Sequence, residues 1–218
     1  MKSRNKKVFF SGIGLLAAFA VWTVLLGLVD VRAIGPIDSR VGFATLNAFF
    51  HDLTGTNMTL YVITDWLGLV PIGVAFCFAV LGLVQWIKRK RFTAVDLSIL
   101  ALGGFYIAVI SAYLFFEAVV INYRPVLIEG YLEASYPSST TMLVTCVMPS
   151  ALMQMRARIK RLALRRCVTV AFIAFIAFMV LGRLLSGVHW LSDIIGGALI
   201  SAGLVAIYYS VSGIGQGD

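Results

Sequence analysis

Six stretches of about 20 mostly apolar residues, at approximately 8–29, 59–87, 96–120, 139–155, 167–188 and 192–211, dominate this chain. A run of that length crosses a hydrocarbon core as an α-helix, the one open element that satisfies its own backbone polar groups there. The expectation is an all-α, six-transmembrane-helix bundle forming a single integral membrane domain over residues 1–218. Composition agrees, with 60% hydrophobic and 13% charged residues and a mean hydropathy of +0.94, far from the balance of a soluble domain. The fourth run is short and polar at its start, and the second is long enough to tilt or to begin as an interfacial helix. The first follows Lys2, Arg4, Lys6 and Lys7 like a signal peptide, but its apolar run through Val29 is too long for one, and it reads as a retained anchor. Asp30–Met58 reads as a loop with a short amphipathic helix whose Phe49 and Phe50 rest in lipid.

Eighteen Lys and Arg against ten Asp and Glu give a net charge of +8. On an alternating path, 14 of these basic residues fall on one side: the four before the first run, Lys88–Arg91, and the six from Arg156 to Arg166. The positive-inside rule then puts both termini in the cytoplasm and Arg32, Arg40, Arg124 and Arg183 at or towards the other face of a multi-pass cell-membrane protein. Without aromatic residues interleaved, the clusters speak for topology and anionic lipid, not nucleic acid. The three cysteines, Cys77, Cys146 and Cys167, indicate neither a disulfide framework nor a zinc site. Thr93 and Asp96 resemble a capping pair for the third span, a structural role.

Ionisable groups beside apolar spans are costly and are functional candidates for that reason. Three groups converge on the outward face: Glu117 with Asn122, Arg124 and Pro125; Pro137–Thr141; and Gly182–Asp193, which carries Arg183, His189 and Asp193. If the last helix begins at or before His189, its i, i+4 partner Asp193 can hold the imidazole, leaving the other ring nitrogen as nucleophile or base. Arg124 and Arg183 can fork onto phosphate oxygens. Taken singly, each has a bland reading: Asp193 a helix cap, Arg183 a snorkelling side chain, His189 a headgroup-level residue. Asp65 reads as an interfacial residue, and Tyr123, Tyr131, Tyr136 and Trp190 as interface anchors.

These residues resemble the membrane branch of the PAP2, or type 2 phosphatidic acid phosphatase, superfamily, whose signature is K-x6-R-P, P-S-G-H and S-R-x5-H-x3-D. Arg183, His189 and Asp193 match the third part at the right spacing, Arg124-Pro125 the end of the first, and Pro137-Ser138 the start of the second. The resemblance implies phosphoryl transfer from a lipid phosphate through a phosphohistidine, with no metal and no cofactor. His189 would attack phosphorus, Asp193 would orient it, and Arg124, Arg183 and backbone amides around Ser138, Ser139 and Thr140 would hold the phosphoryl oxygens.

Two departures from that signature change the chemistry: its lysine falls at Glu117 and its second histidine, the usual general acid, at Thr140. Threonine cannot protonate an alkoxide near neutral pH. One reading is a phosphatase preferring a lipid diphosphate of the isoprenoid type, whose leaving phosphate needs little acid help. A second moves the donor to His51 or Glu117, although His51 reads better as an interfacial residue and Glu117 as an ion-pair partner of Arg124 or Arg183. A third is a lipid-phosphate-binding protein, regulatory or transport-associated, without turnover. The retained His189–Asp193 pair favours catalysis, since binding alone needs no oriented nucleophile. Nothing in the sequence specifies an oligomeric state.

Overall fold

The computed structural model describes residues 3–214; Lys2, the side chain of Arg4 and residues 215–218, which include parts of the sequence reading above, lie outside the described residues. Eight α-helices follow one another: α1 (Ser3–Leu28), α2 (Ala44–Thr54), α3 (Met58–Leu67), α4 (Leu69–Arg89), α5 (Leu97–Ala118), α6 (Ser139–Arg158), α7 (Leu162–Leu185) and α8 (Leu191–Val211). A two-stranded antiparallel ribbon, β1 (Arg32–Ala33) with β2 (Arg40–Val41), sits between α1 and α2. By length and composition five segments suit a membrane crossing: Asn5–Leu28, Met58–Arg89, Leu97–Ala118, Leu162–Leu185 and Leu191–Val211. The chain is a multi-pass membrane protein.

The expected fourth span is α6, and its low apolar content has a packing explanation. It lies against α4, α5, α7 and α8, and Thr141, Ser150 and Gln154 are buried along it. A helix surrounded by protein can carry groups that a lipid-facing helix cannot. The expected second span is broken at Gly68 into α3 and α4, so its outer part forms a separate helix that packs on α7. The expected amphipathic helix is α2, with Phe49 exposed.

Glycines set the closest approaches. A Cβ on Gly12 would meet Ile207 Cγ1 at 2.8 Å and one on Gly203 would meet Leu16 Cγ at 2.8 Å, so α1 and α8 pack backbone to side chain without gaps. Gly187 has φ of +65° and its Cα faces the Gly55 carbonyl. That turn ends α7 at Leu185, short of the expected residue 188, because only glycine tolerates both conformation and contact. At its other end α7 begins at Leu162, so Arg165 and Arg166 belong to the helix.

The basic ends of α4 and α6 meet the start of α5 through Asp96. Its carboxylate takes Arg89 Nη1 at 2.8 Å and Gln85 Nε2 at 2.8 Å and lies 3.7 Å from Arg158 Nη2. Asp96 is structural as expected, but it makes no side-chain cap bond to α5; those neighbours, Arg89 first, hold its carboxyl below the usual carboxylate range. Gln154, fully buried, donates to Ser98 O and to Tyr208 Oη, tying α6 to α5 and α8.

At the opposite end the ring of Tyr136 lies on Gly196, where a Cβ would overlap it, and its hydroxyl is 2.7 Å from Thr23 Oγ1. Tyr136 is thus a core residue and not the expected interface anchor; Trp190, also buried, donates from Nε1 to Tyr123 O. Replacing Gly196 by Val is expected to destabilise by about 1–3 kcal/mol, as overpacking does. Gly104→Ala, where no atom lies within 4 Å of the added Cβ, is expected to leave the thermal midpoint in detergent unchanged, and the pair of melts checks both.

Candidate functional site

The segment 119–138 links α5 to α6 and returns over the start of α8. Asn122, Arg124 and Ser135 come from it, while His189 lies in the turn between α7 and α8. Backbone bonds hold the layers in place: Arg124 N–H to Glu133 O at 3.0 Å, Ser135 N–H to Asn122 O at 2.9 Å, and Ser138 N–H to Asp193 O at 3.1 Å.

Asp193 is fully buried, and its carboxylate accepts four hydrogen bonds. Oδ2 takes Ser135 Oγ–H at 2.6 Å and the Trp190 N–H at 3.0 Å; Oδ1 takes Asn122 Nδ2 at 3.3 Å and Ser192 Oγ at 3.4 Å. Ser192 is fixed in turn by the buried Asn47 of α2, which donates to its Oγ at 2.9 Å and accepts its N–H at 3.1 Å.

The expected direct contact between Asp193 and His189 is replaced by a three-residue chain. Helix α8 begins at Leu191, so His189 is outside it and lacks the helical i, i+4 geometry; Nδ1 is 4.0 Å from Asp193 Oδ2. Ser135 Oγ fills the gap, 2.9 Å from His189 Nδ1. Its single proton is given to Asp193, so Ser135 must accept from His189, which assigns the proton to Nδ1 by counting hydrogens. Nε2 then carries the lone pair and accepts a long hydrogen bond from Arg124 Nη1, at 3.4 Å. Nothing in the sequence singled out Ser135; its place two residues before Pro137-Ser138 was the available signal.

The two arginines are almost wholly enclosed, with Arg183 1% and Arg124 8% exposed. Arg183 therefore does not snorkel. Neither pairs with Glu117, contrary to the ion-pair expectation; Glu117 lines a cavity of about 20 Å³ beside Tyr113 and Ser135. Glu133 Oε2 lies 3.0 Å from Arg124 Nε, and Asp65 Oδ1 lies 3.5 Å from Arg183 Nη2. Asp65 accordingly belongs to the site rather than to the interface. Neither Nε–H makes an aligned hydrogen bond, although both atoms are buried. Arg124 Nε has the Glu133 carboxylate close by but misaligned, whereas Arg183 Nε is buried without a partner; such donors are costly and suit an oxygen-rich anion.

Ser138 caps α6 through Thr141 N–H at 3.4 Å, and its amide is already used by Asp193 O, so it is not free for a ligand. Ser139 and Thr140 open α6 and line a groove of about 530 Å³ between α4, α5 and α6, with Ile72, Tyr106, Tyr113 and Leu143. His51, the other histidine, lies against Trp190 with ring centroids 5.5 Å apart and the planes tilted by 52°. Among the described residues, no group of three or more His, Cys, Asp or Glu side chains could hold a metal ion.

The PAP2 superfamily matches residues 39–214. The chain therefore belongs to the PAP2 superfamily, as the motif resemblance implied. No curated protein matches it in sequence. It is similar in structure to the first transmembrane PAP2 type phosphatidylglycerolphosphate phosphatase from Bacillus subtilis. The TM-score is 0.54 at 16% identity, over 91% of this chain and 93% of the other. At that identity the likeness establishes the fold, an all-helical membrane bundle.

Burial first, then the charges of Arg124 and Arg183, push the His189 pKa well below the ordinary value of 6.5. The folded state binds this proton less readily than the unfolded chain, so the His189 contribution to stability is present above pH 6.5 and is lost as pH falls below that value. With two histidines in the chain, nitrogen NMR on histidine-labelled protein is expected to show one ring that stays neutral and Nδ1-protonated at pH 6. In Ser135→Ala that tautomer preference is expected to weaken.

Proposed function

We propose that this protein is a membrane lipid phosphatase that acts through a phosphohistidine, without a metal, and prefers a lipid diphosphate of the isoprenoid type. The observation that carries this reading is the histidine with one ring nitrogen tied to a buried carboxylate through Ser135 and the other facing an arginine. Binding alone does not require a fixed tautomer with the Nε2 lone pair turned towards the arginine.

In this scheme His189 Nε2 attacks phosphorus while Arg124 and Arg183 hold the phosphoryl oxygens, their unsatisfied Nε–H groups supplying donors as charge spreads over those oxygens. The bond to the leaving oxygen breaks, and its electron pair leaves with that oxygen. Positive charge forming on the imidazole is stabilised by Asp193 through the Ser135 hydroxyl. Water then attacks the phosphohistidine, the P–N bond breaks, and phosphate is released. Asp65 and Glu133 occupy the guanidiniums beforehand and must yield to the incoming phosphoryl group.

The lipid class is supported by the groove between α4, α5 and α6, which is apolar along most of its length and has Ser139 and Thr140 among its lining residues. Diphosphate preference follows from Thr140, since a departing phosphate needs little protonation whereas an alkoxide needs a great deal. The basic ends of α4, α6 and α7 support an orientation with both termini in the cytoplasm and the site outward in the cell membrane.

Phosphate release from polyprenyl diphosphate and phosphatidate, measured side by side in detergent, tests the reading. Release is expected chiefly from the diphosphate, with none from His189→Ala. Ser135→Ala is expected to lower kcat by about 10- to 100-fold, the worth of one hydrogen bond to a charged group. Binding of lipid phosphate by folded protein with no His189-dependent release from either substrate would replace the phosphatase by a regulatory or transport-associated lipid-phosphate-binding protein.

A further inference from the structure

The scheme above leaves the departing oxygen without a proton source, and it leaves Tyr61 without a role. Tyr61 is in the second turn of α3, outside the three family motifs. Its ring centroid lies 4.9 Å from Arg183 Cζ and 5.9 Å from Arg124 Cζ, so one aromatic face is shared by both guanidiniums. No other ring does this among the described residues. The side chain is half-buried, and its hydroxyl has no hydrogen-bond partner among the described residues.

The ring is held in place. Helix α3 packs on α7 at Gly182, where a Cβ would meet Thr64 Cγ2 at 2.7 Å. Arg183 Nη1 lies 3.5 Å from the Tyr61 carbonyl oxygen and 3.4 Å from Thr64 Oγ1. A phosphoryl group spanning Arg124 and Arg183 is therefore bordered by two different groups. His189 Nε2 lies 3.4 Å from Arg124 Nη1, and the Tyr61 ring lies closer to Arg183 than to Arg124. In-line displacement asks for a proton donor beside the leaving oxygen, away from the nucleophile.

We propose that Tyr61 is the proton donor to the leaving group, in the role that Thr140 cannot fill. This rests on the phosphatase reading. As Nε2 bonds to phosphorus and the P–O bond breaks, the electron pair goes to the leaving oxygen and the Tyr61 hydroxyl proton joins it, giving an alcohol, a phosphohistidine and a phenolate. The positive charge of the two guanidiniums offsets part of what burial costs that phenolate. Water then attacks phosphorus, the P–N pair returns to Nε2, and the phenolate takes the proton from the water, restoring both residues.

The other neighbours are less suited. Asp65 and Glu133 are engaged as ion-pair partners of the arginines. Glu117 faces the small cavity by Tyr113, and His51 lies against Trp190. A phenol is a weaker donor than an imidazolium, so the diphosphate preference stands, but phosphomonoesters come within reach.

The test compares substrates that differ in need for acid: dodecyl phosphate, with a poor leaving group, and 4-nitrophenyl phosphate, with a good one. Tyr61→Phe keeps the ring over both arginines and removes the hydroxyl. Its rate loss is expected to be about 100-fold greater on dodecyl phosphate than on 4-nitrophenyl phosphate, the usual worth of a positioned acid. Both rates are read on one preparation, so any loss of folded protein cancels in the ratio. Tyr61→Leu, which also removes the ring, is expected to show the same tilt between substrates. Equal losses on both substrates would overturn the proposal and leave Tyr61 a support for the arginines. His189-dependent turnover of polyprenyl diphosphate with none of either monoester would overturn the proposal and leave the phosphatase reading standing, whereas no His189-dependent turnover of any of the three would overturn both.

Discussion

A carboxylate with no solvent exposure organises this molecule. Asp193 sits in low-dielectric surroundings where an unpaired charge costs several kcal/mol, and four donors relieve that cost. They come from the α5–α6 segment, the turn before α8 and α8 itself, so satisfying one group fixes three pieces of chain relative to each other. Ser192 extends the arrangement to α2 through Asn47. The orientation of His189 follows from the same need: Ser135 is placed by its bond to Asp193, and the imidazole takes the acceptor that remains.

The far end has a second polar knot, built differently. Asp96 and Arg89 are substantially exposed, and such ion pairs add about 0–1 kcal/mol. Gln154 carries more, because its amide is fully buried and an unmet donor there costs the full desolvation. Arg158 Nη1 also donates to the Gln154 side chain and to its carbonyl, the latter at 3.0 Å. Between the two knots the packing is apolar, with Phe105 stacked on Tyr208 and Phe19 parallel to Tyr136.

The spans were legible because lipid imposes length and apolarity one helix at a time, and the motif residues because Arg124, Arg183, His189 and Asp193 are expensive where they lie. What escaped depends on contacts between segments. The link from His189 to Asp193 through Ser135, instead of a direct i, i+4 contact, depends on the Gly187 turn packing on Gly55, which no local periodicity reports. Ser135 looks like any loop serine until Asp193 and His189 are set 4.0 Å apart. Asp65 and Tyr61 read as an amphipathic helix start because the break at Gly68, which lets α3 lean on α7, is a tertiary event. Glu117 showed the converse, with the spacing of a site residue and a side chain beside Tyr113 and Ser135 instead of an arginine.

Helix α6 differs from its neighbours in a way that bears on biogenesis. It falls outside the five segments that suit a membrane crossing by length and composition, and it brings Gln154 and several hydroxyl side chains into the interior. Such a segment gains little by partitioning into lipid on its own. Its stable place exists only once partners from both sides of it in the sequence have arrived, α5 before it and α7 and α8 after. The candidate site, whose cover loop leads directly into α6, is consequently among the last parts of the protein to take shape as the chain enters the bilayer.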